Sequence, residues 1–138
     1  MISLYHPFWN NPIEHNIEID SIVNIVDWTR INKNPNCNII VCGDFNDLRH
    51  HTSSIEQQLS VSNVVNFATG GNNCLDLVLS NCRHLYHDPQ PINPFGSSDH
   101  CTIIWSSKLK TEKLKKVSKS IIIKDTGMKH SNLNFGLK

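Results

Sequence analysis

Short apolar runs alternate with polar segments along residues 1–105, and they predict β-strands. The clearest run spans residues 39–42 and is continuous, which is typical of a strand buried on both faces of a sheet. Other runs lie at residues 2–5, 74–80 and 101–105, and a weaker one lies at 63–67. We therefore expect a sheet whose strands come from widely separated parts of the chain.

A helical pattern lies between the first two of these runs, over residues 14–33. The apolar positions at helical spacing are Ile19, Ile22, Val23, Val26 and Ile31. Glu14 and Glu18 lie near the start and Arg30 and Lys33 near the end, where each sign of charge suits the helix dipole. This pattern predicts a helix that covers one face of the sheet.

The remaining segments are shorter and more polar. We expect a polar loop at 47–54, a short helix at 55–59, a turn at 70–73 and an extended loop or edge strand at 81–96. Strand and helix alternate in the first half of the chain, and strands then follow one another. This order favours an α/β sandwich, with two packed sheets and helices outside them.

The charge is divided unevenly along the 138 residues. Residues 106–138 contain nine of the 13 basic residues and two of the 12 acidic ones, so a net charge of +1 hides an acidic body and a basic tail. We therefore divide the chain into a domain at 1–105 and a basic linker or tail at 106–138. An acidic body repels a phosphodiester unless a divalent cation or basic loops offset the repulsion.

The five cysteines form no CxxC pair and are odd in number. Their positions in or beside apolar runs favour buried free thiols, which indicates a reducing, intracellular location in the nucleus or cytoplasm. Neither a signal peptide nor a run long enough to cross a bilayer is visible, so we expect no membrane partner. Four of the histidines lie in predicted loops and lack the spacing of zinc modules; they are His50, His51, His84 and His87.

Candidate chemistry begins where the first buried run ends. Gly43 allows the backbone to bend, and Asp44 and Asn46 lie two residues apart, which places them on the same side of an extended chain. A carboxylate and a carboxamide at the end of a buried strand are typical of a functional site. An Asx turn in which Asp44 caps the next segment is the simpler alternative, and this motif alone leaves both open.

Three motifs in order, Gly-Asp-Phe-Asn, Leu-Asp-Leu-Val-Leu and Ser-Asp-His, resemble the endonuclease/exonuclease/phosphatase superfamily. They place Asp44 and Asn46, then Asp76, then Asp99 and His100 at matching positions, with Tyr5 upstream in Tyr-His-Pro. Within that superfamily, the chain is most similar to the apurinic-type endonuclease domain of non-LTR retrotransposons. The resemblance covers about residues 3–105 and implies the DNase-I-like α/β sandwich.

The resemblance also implies a role for each of these residues in Mg²⁺-dependent (or Mn²⁺-dependent) hydrolysis of a DNA phosphodiester. Asp44 would activate water, Asn46 and Tyr5 would contact the phosphate, and His100 would donate to the developing charge. Asp76 would hold His100, and Asp99 would bind the metal. The implied partner is DNA, and residues 131–136 are similar to the segment that precedes a reverse transcriptase in such elements.

The chain also departs from the family pattern. The N-terminal half of such a domain, with its asparagine and its metal-binding glutamate, has no counterpart before the Tyr5 strand. We therefore expect a partial sandwich with one exposed apolar sheet face, weak metal binding and weak or no activity alone. Alternatives are a superfamily phosphatase acting on lipid or inositol phosphates, and a non-catalytic nucleic-acid-binding remnant that uses the basic tail.

Overall fold

The computed structural model describes residues 1–8 and 11–109, and these residues form a mixed α/β structure, which confirms the predicted class. In chain order the elements are β1 (Ile2–Tyr5), α1 (Pro12–Asn32), β2 (Ile40–Asp44), α2 (Thr52–Leu59), β3 (Ser62–Asn63), β4 (Asp76–Ser80), β5 (Gln90–Ile92) and β6 (Thr102–Ile104). Short 3₁₀ helices lie at Asn46–His51 and Arg83–Leu85. Most of the predicted basic tail, residues 110–138, lies outside the described residues.

Four strands form the main sheet in the order β1-β2-β4-β3. β1 and β2 are parallel and are connected through α1, whereas β2 pairs with β4, and β4 with β3, in the antiparallel sense. β5 and β6 form a separate antiparallel pair. The polar ends of β1 and β2 and the start of β4 therefore meet at one edge of the sheet.

Helix α1 begins with a defined cap. The Asn11 side chain accepts a hydrogen bond from the Ile13 N–H at 3.1 Å, and Pro12 occupies the first turn, where no N–H is needed. The buried stripe consists of Ile19, Ile22, Val23 and Val26, as predicted. Ile31 was wrongly included, because it is 81% exposed; the next inward position is Arg30, which donates to the Leu59 carbonyl at 2.8 Å.

The two faces of the main sheet are covered unequally. Val41, Leu77 and Leu79 are buried with α1 and α2 in the larger core. On the opposite face, Val78 belongs to a small cluster with partly buried neighbours, among them Ile103 from β6. This second face also lines an open cleft of about 520 Å³.

Several short elements differ from the prediction. α2 begins at Thr52 rather than at residue 55, and the predicted strand at 63–67 is reduced to β3. The Asn63 side chain bonds the backbone of Val65, and beyond β3 the Val64 N–H still donates to the Val78 carbonyl at 2.9 Å. The proline-containing segment includes β5, which forms the exposed strand of the separate pair.

All five cysteines are free thiols; Cys82 is buried and the other four are half-buried. Within the described ranges, no helix combines the length and apolar character needed to cross a membrane. Backbone contacts continue just beyond residue 105, since Tyr86 and Ser107 form an isolated bridge and the Lys108 N–H donates to the Leu85 carbonyl at 2.9 Å.

Candidate functional site

Three sequence-predicted residues lie in one row across the main sheet. Tyr5 at the end of β1 is the register partner of Asp44, and Asp44 is in turn the partner of Asp76 at the start of β4. Residues directly opposite each other in a sheet project from the same face, and like charges in this position destabilise the pairing. The row therefore places the carboxylates of Asp44 and Asp76 opposite each other, an arrangement that lowers the stability of the fold.

Gly43 is required for this arrangement. Its backbone has a φ of +148°, and a Cβ atom added there would collide with the Leu4 backbone in the neighbouring strand. A side chain at this position would push β1 away from β2. Gly43 thus allows Tyr5 and Asp44 to end side by side.

His100 completes the group from a different part of the chain. Its Nδ1 lies 2.8 Å from Asp76 Oδ2, and the two side chains are 23% and 22% exposed. One potential ligand atom from each of Asp44, Asp76 and His100 lies within 4.8 Å of the others. Three segments that are far apart in sequence therefore converge on one half-exposed group.

The surroundings favour a protonated His100. Burial alone lowers the pKa of this imidazole, but its hydrogen bond to Asp76 and the charges of Asp76, Asp44 and Asp99 raise it by more. The pKa of His100 is therefore above its ordinary value. The protonated ring donates from Nδ1 to Asp76 and keeps an N–H at Nε2.

Thr69 is a positioning residue that sequence reasoning missed. It is 2% exposed, and its hydroxyl oxygen accepts the N–H groups of Leu75 and Asp76 at 2.9 and 2.8 Å. Its carbonyl accepts the Cys101 N–H at 2.7 Å, so one residue holds the backbone beside both Asp76 and His100. The available signal was a threonine directly before the Gly-Gly turn.

Gly70, the residue after Thr69, forms an isolated bridge with His100. A Cβ atom at Gly70 would lie 3.0 Å from His100 Nε2 and 2.8 Å from Leu75 Cδ1. The glycine therefore lets the turn approach the imidazole ring closely.

The remaining predicted residues are placed differently. Asn46 is 7% exposed, has a left-handed φ of +45° and donates through Nδ2 to the His6 carbonyl at 2.8 Å, so its side chain supports the loop. Its N–H donates to Asp44 Oδ1 at 3.2 Å, which is the Asx turn considered above. Asp99 is exposed and Tyr5 is 72% exposed.

A second cluster was not predicted. His6, His15 and Asp47 also place ligand-type atoms within 4.8 Å of one another, and both histidines are buried. His6 Nδ1 lies 2.6 Å from Glu18 Oε2 on α1. The histidines considered from sequence did not include these two, because their proximity depends on the packing of α1 against the 3₁₀ helix.

Comparison of the chain with protein-family models, curated proteins and solved structures gave no match.

Proposed function

We propose that the chain carries the site of a Mg²⁺-dependent phosphodiester hydrolase of the DNA-nicking endonuclease type, within a DNase-I-like fold. The observation that supports this most is the convergence of Asp44, Asp76 and His100 within 4.8 Å. Phosphodiester hydrolysis needs an activated water and a donor to the developing negative charge. The Asp44 carboxylate beside a carboxylate-held imidazole can provide both.

In this proposal, Asp44 accepts a proton from the attacking water. His100 donates from Nε2 to a non-bridging phosphate oxygen, while Asp76 accepts from Nδ1 and fixes the ring at 2.8 Å. Tyr5 lies next to Asp44 across the β1–β2 pair, where its hydroxyl can approach the phosphate. Asn46 holds the loop after Asp44 rather than contacting the substrate.

The donor set fits a hydrated Mg²⁺ or Mn²⁺ ion. Such ions are commonly held by one or two carboxylates and keep several waters, and two half-buried carboxylates lie here at an open sheet edge. Asp44 would be the main protein ligand, since Asp76 is engaged with His100, and exposed Asp99 would act through water. When bound, the cation would offset the charge of the phosphate and of the carboxylates.

The choice of DNA as substrate depends on the order of the sequence motifs. The site is compatible with a large substrate, because Tyr5 is 72% exposed beside it. Arg49, half-buried, donates to the Asn46 carbonyl at 2.8 Å and is a cation close to the loop that follows Asp44. A polymeric anion fits such an edge better than a ligand that needs an enclosed pocket.

The test is nicking of supercoiled plasmid by the full chain in Mg²⁺, with Asp44→Asn, His100→Ala and the matched control His84→Ala. We expect weak, cation-dependent nicking that is lost in the first two variants and retained in the control. Cleavage that persists in both site variants, or no cleavage by folded wild-type protein, would contradict the proposal. Hydrolysis of inositol phosphates but not of plasmid would support the proposed hydrolytic chemistry and contradict the choice of DNA as substrate.

A further inference from the structure

We propose that His6, His15 and Asp47 form a second, structural metal site that takes a zinc-class divalent ion. The site is separate from the one proposed for hydrolysis and does not depend on that function. It joins the segment after β1, the first turns of α1 and the 3₁₀ helix after β2. Two imidazoles and one carboxylate are a common protein donor set for Zn²⁺.

The protonation of His6 supplies the first argument. Its Nδ1 lies 2.6 Å from Glu18 Oε2, and a carboxylate only accepts, so Nδ1 carries a hydrogen. In the neutral ring, Nε2 then has a lone pair. That atom lies 3.2 Å from Asp47 Oδ1, which also offers only lone pairs. Two acceptors at this distance repel each other unless a cation or a proton lies between them.

The burial of these atoms makes the repulsion significant. His6 is fully buried, and neither His6 Nε2 nor Asp47 Oδ1 has a hydrogen-bond partner among the residues that the structure describes. Water cannot readily compensate atoms at such a depth, so leaving them unsatisfied is costly. A metal ion satisfies the lone pairs of both atoms at once.

Two of the distances are close to those between ligands of one metal ion. Ligand atoms held about 2.0–2.1 Å from a tetrahedral Zn²⁺ lie about 3.3 Å from one another. The Asp47 carboxylate lies 3.2 Å from His6 Nε2 through one oxygen and 3.2 Å from His15 Nε2 through the other. Binding would therefore need only small movements of the side chains, and it would release any proton on His15 Nε2.

The surrounding groups resemble the outer shell of a zinc site. Metal-bound histidines usually donate their second ring nitrogen to a carboxylate, which fixes the ring and strengthens the ligand. Glu18 stands in that relation to His6. His51, whose ring centroid lies 4.8 Å from that of His15, is near enough to supply a fourth ligand, and water is the alternative.

Such an ion would stabilise the loop that carries the candidate hydrolytic residue Asp44. The His6 N–H donates to the Asp44 carbonyl at 2.8 Å, and Asp47 follows Asp44 by three residues. The ion would thus fix the loop that carries Asp44 against α1. Its role would be structural, since the ligands are largely buried behind the open edge.

The test is a titration of the chelator-treated full chain with Zn²⁺, followed by calorimetry, and with Co²⁺, followed by visible absorption. We expect one ion per chain, a higher melting temperature and a Co²⁺ spectrum of nitrogen and oxygen ligation without a thiolate band. His15→Gln and Asp47→Asn should lose the site, and Glu18→Gln should weaken it about 10–100-fold. Asp44→Asn and His50→Gln are the controls and should bind as the wild type does.

Failure of folded wild-type protein to bind Zn²⁺ would overturn the proposal, whatever the variants do. Binding that survives in both His15→Gln and Asp47→Asn would overturn it as well, as would loss of binding in Asp44→Asn. Circular dichroism of each variant identifies a general loss of fold. In that event Glu18→Gln, which changes a side chain that is 28% exposed, supplies the comparison.

Discussion

The described residues contain two groups of carboxylates and histidines that differ in their access to solvent. In the group at the sheet edge, Asp76 and His100 are 22% and 23% exposed and form a hydrogen-bonded pair beside Asp44. In the group behind it, His6 is fully buried and its Nε2 faces a carboxylate oxygen to which it makes no hydrogen bond. Similar side chains therefore meet different electrostatic conditions a few residues apart.

This difference separates two kinds of site. At the open edge, solvent and a protonated His100 offset the repulsion between Asp44 and Asp76, and a carboxylate remains available to a substrate or a hydrated ion. In the buried group, solvent offsets little of the repulsion between the ligand atoms. An ion bound there would therefore stabilise the fold. Burial, more than composition, distinguishes the candidate hydrolytic site from the candidate structural one.

The largest expected effect concerns Asp44 and Asp47, which lie in the same loop. Asp44→Asn should lower the rate of Mg²⁺-dependent nicking by about 10²–10⁴-fold, as expected for removal of a general base. It should change the free energy of unfolding by less than about 1 kcal/mol, because it also removes the like charge opposite Asp76. Nicking rates and urea denaturation measure the two quantities.

Asp47→Ala should show the opposite pattern. Burial tends to raise the pKa of Asp47, but a backbone hydrogen bond, the neighbouring His6 and His15 and a hydrogen bond to His15 outweigh it, so the net pKa is lowered. Loss of the carboxylate should cost about 1–3 kcal/mol of stability in zinc-saturated protein, since it removes a metal ligand and the Asp47 contact with His15. Most of the nicking rate should remain. Equal effects of the two variants on both measurements would show that the two groups are one functional unit.

An effect on stability of similar size is expected at Thr69, which supports the backbone of the open group. Thr69→Val keeps the shape but removes the acceptor for two backbone N–H groups, which should lower stability by about 1–3 kcal/mol. Thr69→Ser retains the hydroxyl and should lie closer to the wild type. If valine and serine are equally stable, the hydroxyl does not position Asp76.

The smallest expected effect is on the protonation of His100. Because the folded pKa of His100 is above its ordinary value, the stabilisation that this residue contributes is fully present below the ordinary pKa and is lost as the pH rises through the folded pKa. Asp76→Asn should lower the pKa of His100 and move the alkaline decline in nicking to lower pH. Titration of the His100 ring by NMR measures the change, with His84 as the internal reference; an unchanged pKa would show that Asp76 is not its main partner.

Local pattern was sufficient to predict the main elements of the fold. The strands β1, β2 and β4 and the helix α1 follow from apolar runs and helical spacing. In each of them the buried residues occur in a regular local pattern. β5 was only partly predicted, since a short exposed strand with a proline depends on its pairing with β6. The inclusion of Ile31 failed because periodicity does not show where the sheet beneath a helix ends.

The candidate site was predictable to the extent that strand ends carry its residues. Asp44 follows from the end of a predicted strand, whereas Asp76, expected inside the run at 74–80, and His100 follow from their motifs; in the structure β4 begins at Asp76. The inward orientation of Asn46 depends on a hydrogen bond to a segment 40 residues earlier, which no local pattern shows. The cluster around His6 has the same origin, because it exists only when α1 is packed in place.

The most direct test of the central claim is an NMR titration of zinc-saturated protein with Mn²⁺, observed at the histidine rings. If Asp44 holds a cation beside the Asp76–His100 pair, substoichiometric Mn²⁺ should broaden the His100 ring signals first and leave those of His84 sharp. Asp44→Asn should abolish that selective broadening. Broadening that spares His100, or that is unaffected by Asp44→Asn, would contradict the account.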